Sequence, residues 1–291
     1  MKVNNIVGTG VALVTPFDQK GEIDFVSLES LVDYVIDSGV EYIVALGTTA
    51  ESATMTKQEK HAVQQCIIKQ TASRVPIVLG LGDNNTAKVV EELMELDTNG
   101  IDAILSVTPY YNKPSQEGLY QHYKALSEAS PLPIILYNVP SRTGVNMTAQ
   151  TTLRLACDFE NIMGIKEASA DMTQMSYILR DRPEGFMVYS GDDATAMYAV
   201  SMGADGVISV AANAFAKEFS TMIRDAAASN MAAASKTHLE LIEAVEALFC
   251  EGNPVGVKMA LEIMGKCSSV VRLPLVCGSE SLKNKLTQLI G

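Results

Sequence analysis

The sequence predicts an α/β fold: a (β/α)8 TIM barrel followed by a C-terminal helical extension. Three observations carry that expectation. Short β-rich runs alternate with longer helical patterns along the chain, and several are continuously apolar, as in parallel strands buried on both faces. Strand starts run from position 7 to position 206, a mean repeat of about 28 residues, close to the ~30 of a 250-residue barrel. After position 228 the β-rich runs stop and helical patterns follow, so residues 1–228 are read as the barrel and 229–291 as the extension.

The strand signals fall at 7–15 (VGTGVALVT), 42–47 (YIVALG), 76–82 (PIVLGLG), 103–109 (AILSVTP), 133–139 (PIILYNV), 162–168 (IMGIKEA), 186–191 (FMVYSG) and 206–211 (GVISVA). Helix starts between them are marked by capping chemistry. Asp24 precedes the first. Thr56 and Glu59 form the capping box T-K-Q-E, in which each side chain satisfies the other's backbone N–H. Ser115 opens SQEGLYQHYKALSEA and Asp171 opens DMTQMSYILRD. Gly39, Gly100 and Gly203 stand where helices should stop and the chain needs φ > 0. The tail reads as MAAASKTHLELIEAVEALFC, PVGVKMALEIMG and SESLKNKLTQLI. No G-x-G-x-x-G follows the first strand, which disfavours a dinucleotide-binding oxidoreductase.

Composition narrows the partners. With 291 residues, 47% apolar and 19% charged, the chain suits one large domain or a domain with an appendage. A net charge of −12 repels nucleic acid and anionic membrane. Cys66, Cys157, Cys250, Cys267 and Cys277 are scattered without metal or redox spacing, as expected of reduced thiols in a cytoplasmic protein. His61, His122 and His238 lie far apart, so no zinc site is expected. Met1-Lys2 runs into Asn4-Asn5 without the apolar stretch of a signal peptide, and no run reaches the ~18 apolar residues of a membrane helix.

In such barrels the chemistry sits at the C-terminal ends of the strands. Lys166, inside GIKEA, is costly to bury charged, and the neutral amine is the form that attacks carbonyls. Tyr137 ends the preceding strand, where a phenol could shuttle protons. Thr48 and Thr49 offer hydroxyls and backbone N–H groups suited to a carboxylate. Arg142, in a Pro/Gly-framed loop, offers a planar fork for another carboxylate. Singly, each has an ordinary alternative: a lysine snorkelling or paired with Glu167, a core tyrosine, a plain turn, a surface arginine. Their joint placement at one end of one barrel points to carbonyl chemistry on acid substrates.

The strings GTGVALVTPF, GTTAESATM, PYYNKPSQEGLYQHY, YNVPSRTG, GIKEAS, SGDDATA and GVISVAAN resemble the dihydrodipicolinate synthase / N-acetylneuraminate lyase family over nearly the whole chain. The arginine after the proline in YNVPSRTG resembles the synthase branch. The resemblance implies that Lys166 forms an imine with pyruvate. It implies that Tyr137 shuttles protons through Thr48 and through Tyr111 of a neighbouring subunit. Thr48 and Thr49 would hold the pyruvate carboxylate, Arg142 would hold that of aspartate semialdehyde, and Gly191 and Ile208 would line the lysine's pocket. It also implies a homo-oligomer, commonly a tetramer built as a dimer of dimers, and no metal or organic cofactor.

Three departures from the family pattern bear on these expectations. Ala50 replaces the usual glycine of G-T-T-G-E, and is strained if that position needs φ > 0. Gly256 replaces a common proline in NPVGVK, in the helical tail, and is not expected to touch the chemistry. Ser52, Ala53, Lys57, Lys60, Asn84, Lys88 and Tyr110 match the pocket where lysine inhibits many relatives. The three lysines there predict repulsion of a cationic ligand and weak feedback. The rival within the family is a sialic-acid lyase or keto-deoxy-sugar-acid aldolase using the same imine. The rival outside enzymes is a non-catalytic barrel that binds pyruvate-like acids.

Overall fold

The computed structural model describes residues 6–291. Eight parallel strands form a closed barrel in sequence order: β1 (Gly8–Ala12), β2 (Tyr42–Ala45), β3 (Ile77–Gly80), β4 (Ala103–Val107), β5 (Ile134–Asn138), β6 (Ile162–Glu167), β7 (Met187–Ser190) and β8 (Gly206–Ser209). The closure pairs Gly8 with Gly206 and Gly10 with Ile208. Every predicted strand is present, and each is shorter than its apolar run. Leu13 and Val14, for example, lie beyond the end of β1 but stay buried, so an apolar run there outlasts the strand.

The helices are α1 (Phe25–Asp37), α2 (Lys57–Thr71), α3 (Thr86–Met94), α4 (Gln116–Ala129), the single turn α5 (Pro140–Thr143), α6 (Ala149–Asp158), α7 (Met172–Asp181), α8 (Ala196–Ser201), α9 (Ala216–Ala227), α10 (Met231–Phe249), α11 (Val255–Ile263) and α12 (Glu280–Ile290). The expected caps form. Asp24 accepts from Ser27 N, Ser115 from Gly118 N, and Asp171 from Thr173 N and Gln174 N. The Thr56–Glu59 capping box closes in both directions. Gly39 and Gly203 follow α1 and α8 with φ of 97° and 106°.

Two apolar layers hold the barrel. The inner one fills the bore with Tyr42, Val44, Val78, Leu105, Ile135, Tyr137, Tyr189 and Ile208. The outer one lies between strands and helices. It runs without a break into the extension, through Leu241, Val245, Leu248, Val257, Leu261, Leu282 and Leu286. A short 3-10 turn at Ala211–Asn213 reinforces the closure. Asn213 Nδ2 donates to Ala12 O (2.8 Å), and its Oδ1 accepts from Val14 N (3.0 Å). That ties the end of β8 to the end of β1 and keeps the mouth of the barrel in register.

Candidate active site

Lys166 and Tyr137 are register partners on β6 and β5, at the C-terminal ends of their strands. Both are buried, and the lysine Nζ sits 4.4 Å from the centre of the tyrosine ring. Tyr189 on β7 is the lysine's other register partner. The pair lies on the inner face because neighbouring strand residues alternate between bore and helices. Glu167, the next residue, therefore faces the opposite side. There its carboxylate accepts from Asn138 Nδ2 (3.1 and 3.0 Å), Ser169 N (2.8 Å) and Gln174 Nε2 (2.8 Å). The expected alternative, a Lys166–Glu167 pair, is excluded by these partners.

Gly191 gives the lysine its room. A Cβ added there would lie 2.9 Å from Lys166 Cε and 2.5 Å from Ala168 Cβ, closer than side chains approach. Ile208 packs in the same inner layer, 1% exposed. Beside it Asp193, wholly buried, accepts from Val210 N (3.0 Å) and Ala211 N (2.8 Å) and so joins the loops after β7 and β8. Burial raises its carboxyl to about 6, against the lowering effect of the donors from Ser209, Ala211 and Val210.

Thr48 and Thr49 lie on a 3-10 turn, Thr48–Ala50, directly after β2. Ala50 is buried in that turn and is not left-handed. The residues that take positive φ are Leu46 (54°) and Glu51 (57°) on either side. The strain expected at Ala50 therefore falls on its neighbours. Glu51 is held by two groups from the extension: Lys258 Nζ at 2.6 Å and Arg272 N at 2.8 Å. Burial pushes the Lys258 ammonium down, and Glu51 offsets this only in part.

A cavity of about 990 Å³ opens over this end of the barrel, lined among others by Thr48, Tyr137, Val139 and Arg142. Arg142 lies on α5, a single helical turn where the sequence suggested only a loop, and its Nη2 donates to Asn253 O (3.2 Å). Tyr111, by contrast, is 85% exposed, with a φ of 73°, and does not line that cavity. One chain thus brings together Lys166, Tyr137, Thr48, Thr49, Arg142, Gly191 and Ile208, and leaves Tyr111 outside. Among the described residues, no group of three His, Cys, Asp or Glu side chains is placed to hold a metal ion.

The model of the dihydrodipicolinate synthetase family matches residues 5–291. The chain belongs to that family. It is 51% identical to the 4-hydroxy-tetrahydrodipicolinate synthase of Parabacteroides distasonis over 272 residues, covering 94% of this chain and 92% of the relative. Among solved structures, the dihydrodipicolinate synthase of Thermotoga maritima superposes with a TM-score of 0.96 at 39% identity, covering 99% of this chain and 98% of that one. The chloride-inhibited dihydrodipicolinate synthase of Acinetobacter baumannii, complexed with pyruvate, superposes with a TM-score of 0.95 at 43% identity, covering 98% of each chain.

One residue of the tail reaches the site. Asn253, first residue of NPVGVK, donates from Nδ2 to Thr49 Oγ1 at 2.9 Å, and Asn253 O is the carbonyl that Arg142 contacts. Sequence reasoning missed this residue because a polar side chain between two helices carries no local signal of what it will face. Gly256 has a packing role, since a Cβ there would lie 2.3 Å from Leu248 O. Lys57, Lys60 and Lys88, the three lysines of the expected lysine-binding pocket, line the cavity. Lys57 pairs with Glu95 (3.1 Å) and Lys88 with Asp83 (2.5 Å), and Glu91 and Glu92 line the same cavity. Lys57 and Lys88 thus each have an acidic partner within the cavity wall.

Proposed function

We propose that this chain condenses pyruvate with L-aspartate 4-semialdehyde to give 4-hydroxy-tetrahydrodipicolinate, in diaminopimelate and lysine biosynthesis, through an imine on Lys166. The observation that carries this reading is the buried Lys166 beside Tyr137, in a barrel mouth that also presents Thr48, Thr49 and Arg142. Two carboxylate-binding groups around one buried amine fit two acid substrates, one of them a ketone.

The chemistry follows from that placement. The Lys166 amine adds to the pyruvate C2 carbonyl, and loss of water gives the imine. The cationic imine acidifies the C3 methyl group, which gives up a proton to become an enamine. C3 of the enamine attacks the aldehyde carbon of the semialdehyde, whose oxygen takes up a proton. The semialdehyde's own amine then attacks C2, the Lys166 amine leaves, and a six-membered ring closes. Tyr137 is the group placed to carry these protons, with Thr48 and a neighbouring subunit's Tyr111 completing its relay. Thr48 and Thr49 hold the pyruvate carboxylate, Arg142 holds that of the semialdehyde, and Gly191 and Ile208 shape the wall around the amine.

The 85% exposure of Tyr111 supports a site completed by a second copy, and the exposed Tyr177, Tyr198 and Met202 on and beside α7 and α8 offer apolar surface for a further contact. We read the assembly as a homotetramer, with residues 1–228 as the catalytic barrel and 229–291 as the extension that braces its mouth. The scattered thiols fit a cytoplasmic enzyme.

Turnover of pyruvate with aspartate semialdehyde, coupled to a reductase that consumes the cyclic product, tests the reaction. Borohydride reduction with pyruvate, read by peptide mass, tests the imine. The expected result is turnover and a pyruvate adduct on Lys166 that Lys166→Ala abolishes. An adduct without turnover would move the second substrate to a sugar-derived aldehyde. Absence of the adduct would overturn the mechanism.

A further inference from the structure

We infer that Asn253 is a positioning residue: its amide takes a lone pair of the Thr49 hydroxyl and so commits the hydroxyl proton to the pyruvate carboxylate. The inference rests on the pyruvate-imine reading above. A threonine hydroxyl has one proton to give and two lone pairs to receive. Asn253 Nδ2 donates to Thr49 Oγ1 at 2.9 Å, and this is that oxygen's only hydrogen bond among the described residues. With the donor role left free, the buried Thr49 hydroxyl can give its proton to an anion bound beside Thr48.

The opposite amide orientation would undo this. Oδ1 would then accept the Thr49 proton, and the hydroxyl would present only lone pairs to a carboxylate. In the observed orientation Asn253 Oδ1 is buried without a partner among the described residues. Turning the amide over would put the NH2 in that place, leaving neither of its two N–H groups paired, where the observed orientation pairs one of them with Thr49. The orphaned oxygen is the cost of aiming the amide at Thr49. The same residue's backbone carbonyl accepts from Arg142 Nη2 at 3.2 Å, so Asn253 touches the groups assigned to both substrate acids. Only the pyruvate side depends on its side chain.

That asymmetry defines the test. Asn253→Asp replaces the donor with an acceptor that takes the Thr49 proton and adds a negative charge near a bound carboxylate. The half-saturating pyruvate concentration for borohydride trapping on Lys166, and the KM for pyruvate, should rise about tenfold or more. The KM for aspartate semialdehyde should change by less than about twofold, because Arg142 contacts the backbone. Asn253→Ala should raise the pyruvate KM less than Asn253→Asp does. In a Thr49→Val background Asn253→Ala should have no further effect, since the partner hydroxyl is already gone. A merely structural role for Asn253 would lower folding stability and move both KM values together. The inference is overturned if Asn253→Asp traps pyruvate with unchanged half-saturation, or if Asn253→Ala keeps its full effect in the Thr49→Val background. Failure of the unsubstituted protein to form any adduct would instead overturn the underlying imine reading.

Discussion

Lys258 on α11 and Glu51, which follows the Thr48–Ala50 turn, form an ion pair of 2.6 Å with the two side chains 0% and 2% exposed. They lie 207 residues apart in sequence. Lys258 Nζ also donates to Val270 O (2.9 Å) and stands 4.0 Å from the centre of the Phe17 ring. Arg272 adds its backbone N–H to Glu51 and its side chain to Gly21 O, Thr54 O and Glu59. The extension thus grips the loop that carries Thr48 and Thr49. Removing one member of a buried pair strands the other charge, which costs far more than the intact pair contributes.

Glu51→Gln or Lys258→Met alone should therefore lower stability by roughly 3–5 kcal/mol, and the double variant by less than the sum. Denaturant unfolding of the four proteins in the cycle measures this. Additive losses would show that the two charges do not depend on each other.

Arg142→Ala should separate the two substrates. Pyruvate trapping on Lys166 should survive, while turnover with aspartate semialdehyde should fall roughly a hundredfold, the loss of a charge-assisted carboxylate contact in the rate-determining complex. Steady-state kinetics beside borohydride trapping gives both numbers. Equal damage to both would mean that Arg142 serves the fold of the mouth and not the second acid.

Asp193 should leave a signature in the pH dependence of stability. Burial raises its folded-state carboxyl from 3.8 to about 6. The folded protein thus holds this proton more tightly than the unfolded chain does. Its contribution is full below about pH 4 and is lost as the pH rises through about 6, a change of roughly 3 kcal/mol. Asp193→Asn cannot ionise and should lack this slope. Unfolding free energies of both proteins from about pH 4 to about pH 8 test it, and parallel curves would place the carboxyl at its ordinary value.

Tyr111 should act across the subunit boundary. Lys166→Ala and Tyr111→Phe proteins should each be nearly inactive. Mixing and reassembling them should restore about a quarter of full activity, since half the dimers would be mixed and each would hold one intact site. No recovery on mixing would return Tyr111 to its own chain's site or remove it from the relay.

Much of the barrel was legible because its signals are local. Parallel strands buried on both faces must be apolar throughout, and helix starts need a side-chain acceptor, so β1 to β8 and the caps at Asp24, Thr56, Ser115 and Asp171 could be read directly. Strand ends were less legible, because Leu13 and Val14, beyond the end of β1, are still apolar for the outer core. At the site, Lys166 and Tyr137 were readable as polar residues at strand ends, and their adjacency followed from neighbouring strands.

The chain by itself determined the barrel, its order, and which strand ends carry an amine, a phenol, two hydroxyls and a guanidinium. Periodicity and capping depend on residues a few positions apart, and the chain states those relations openly. Only the tertiary structure decided that Asn253 meets Thr49, that Lys258 meets Glu51, that Asp83 and Glu95 pair with Lys88 and Lys57, and that positive φ falls on Glu51 and not on Ala50. Each of these depends on which charge or hydrogen-bond partner arrives from another element, and burial, not sequence spacing, sets how strongly that partner acts.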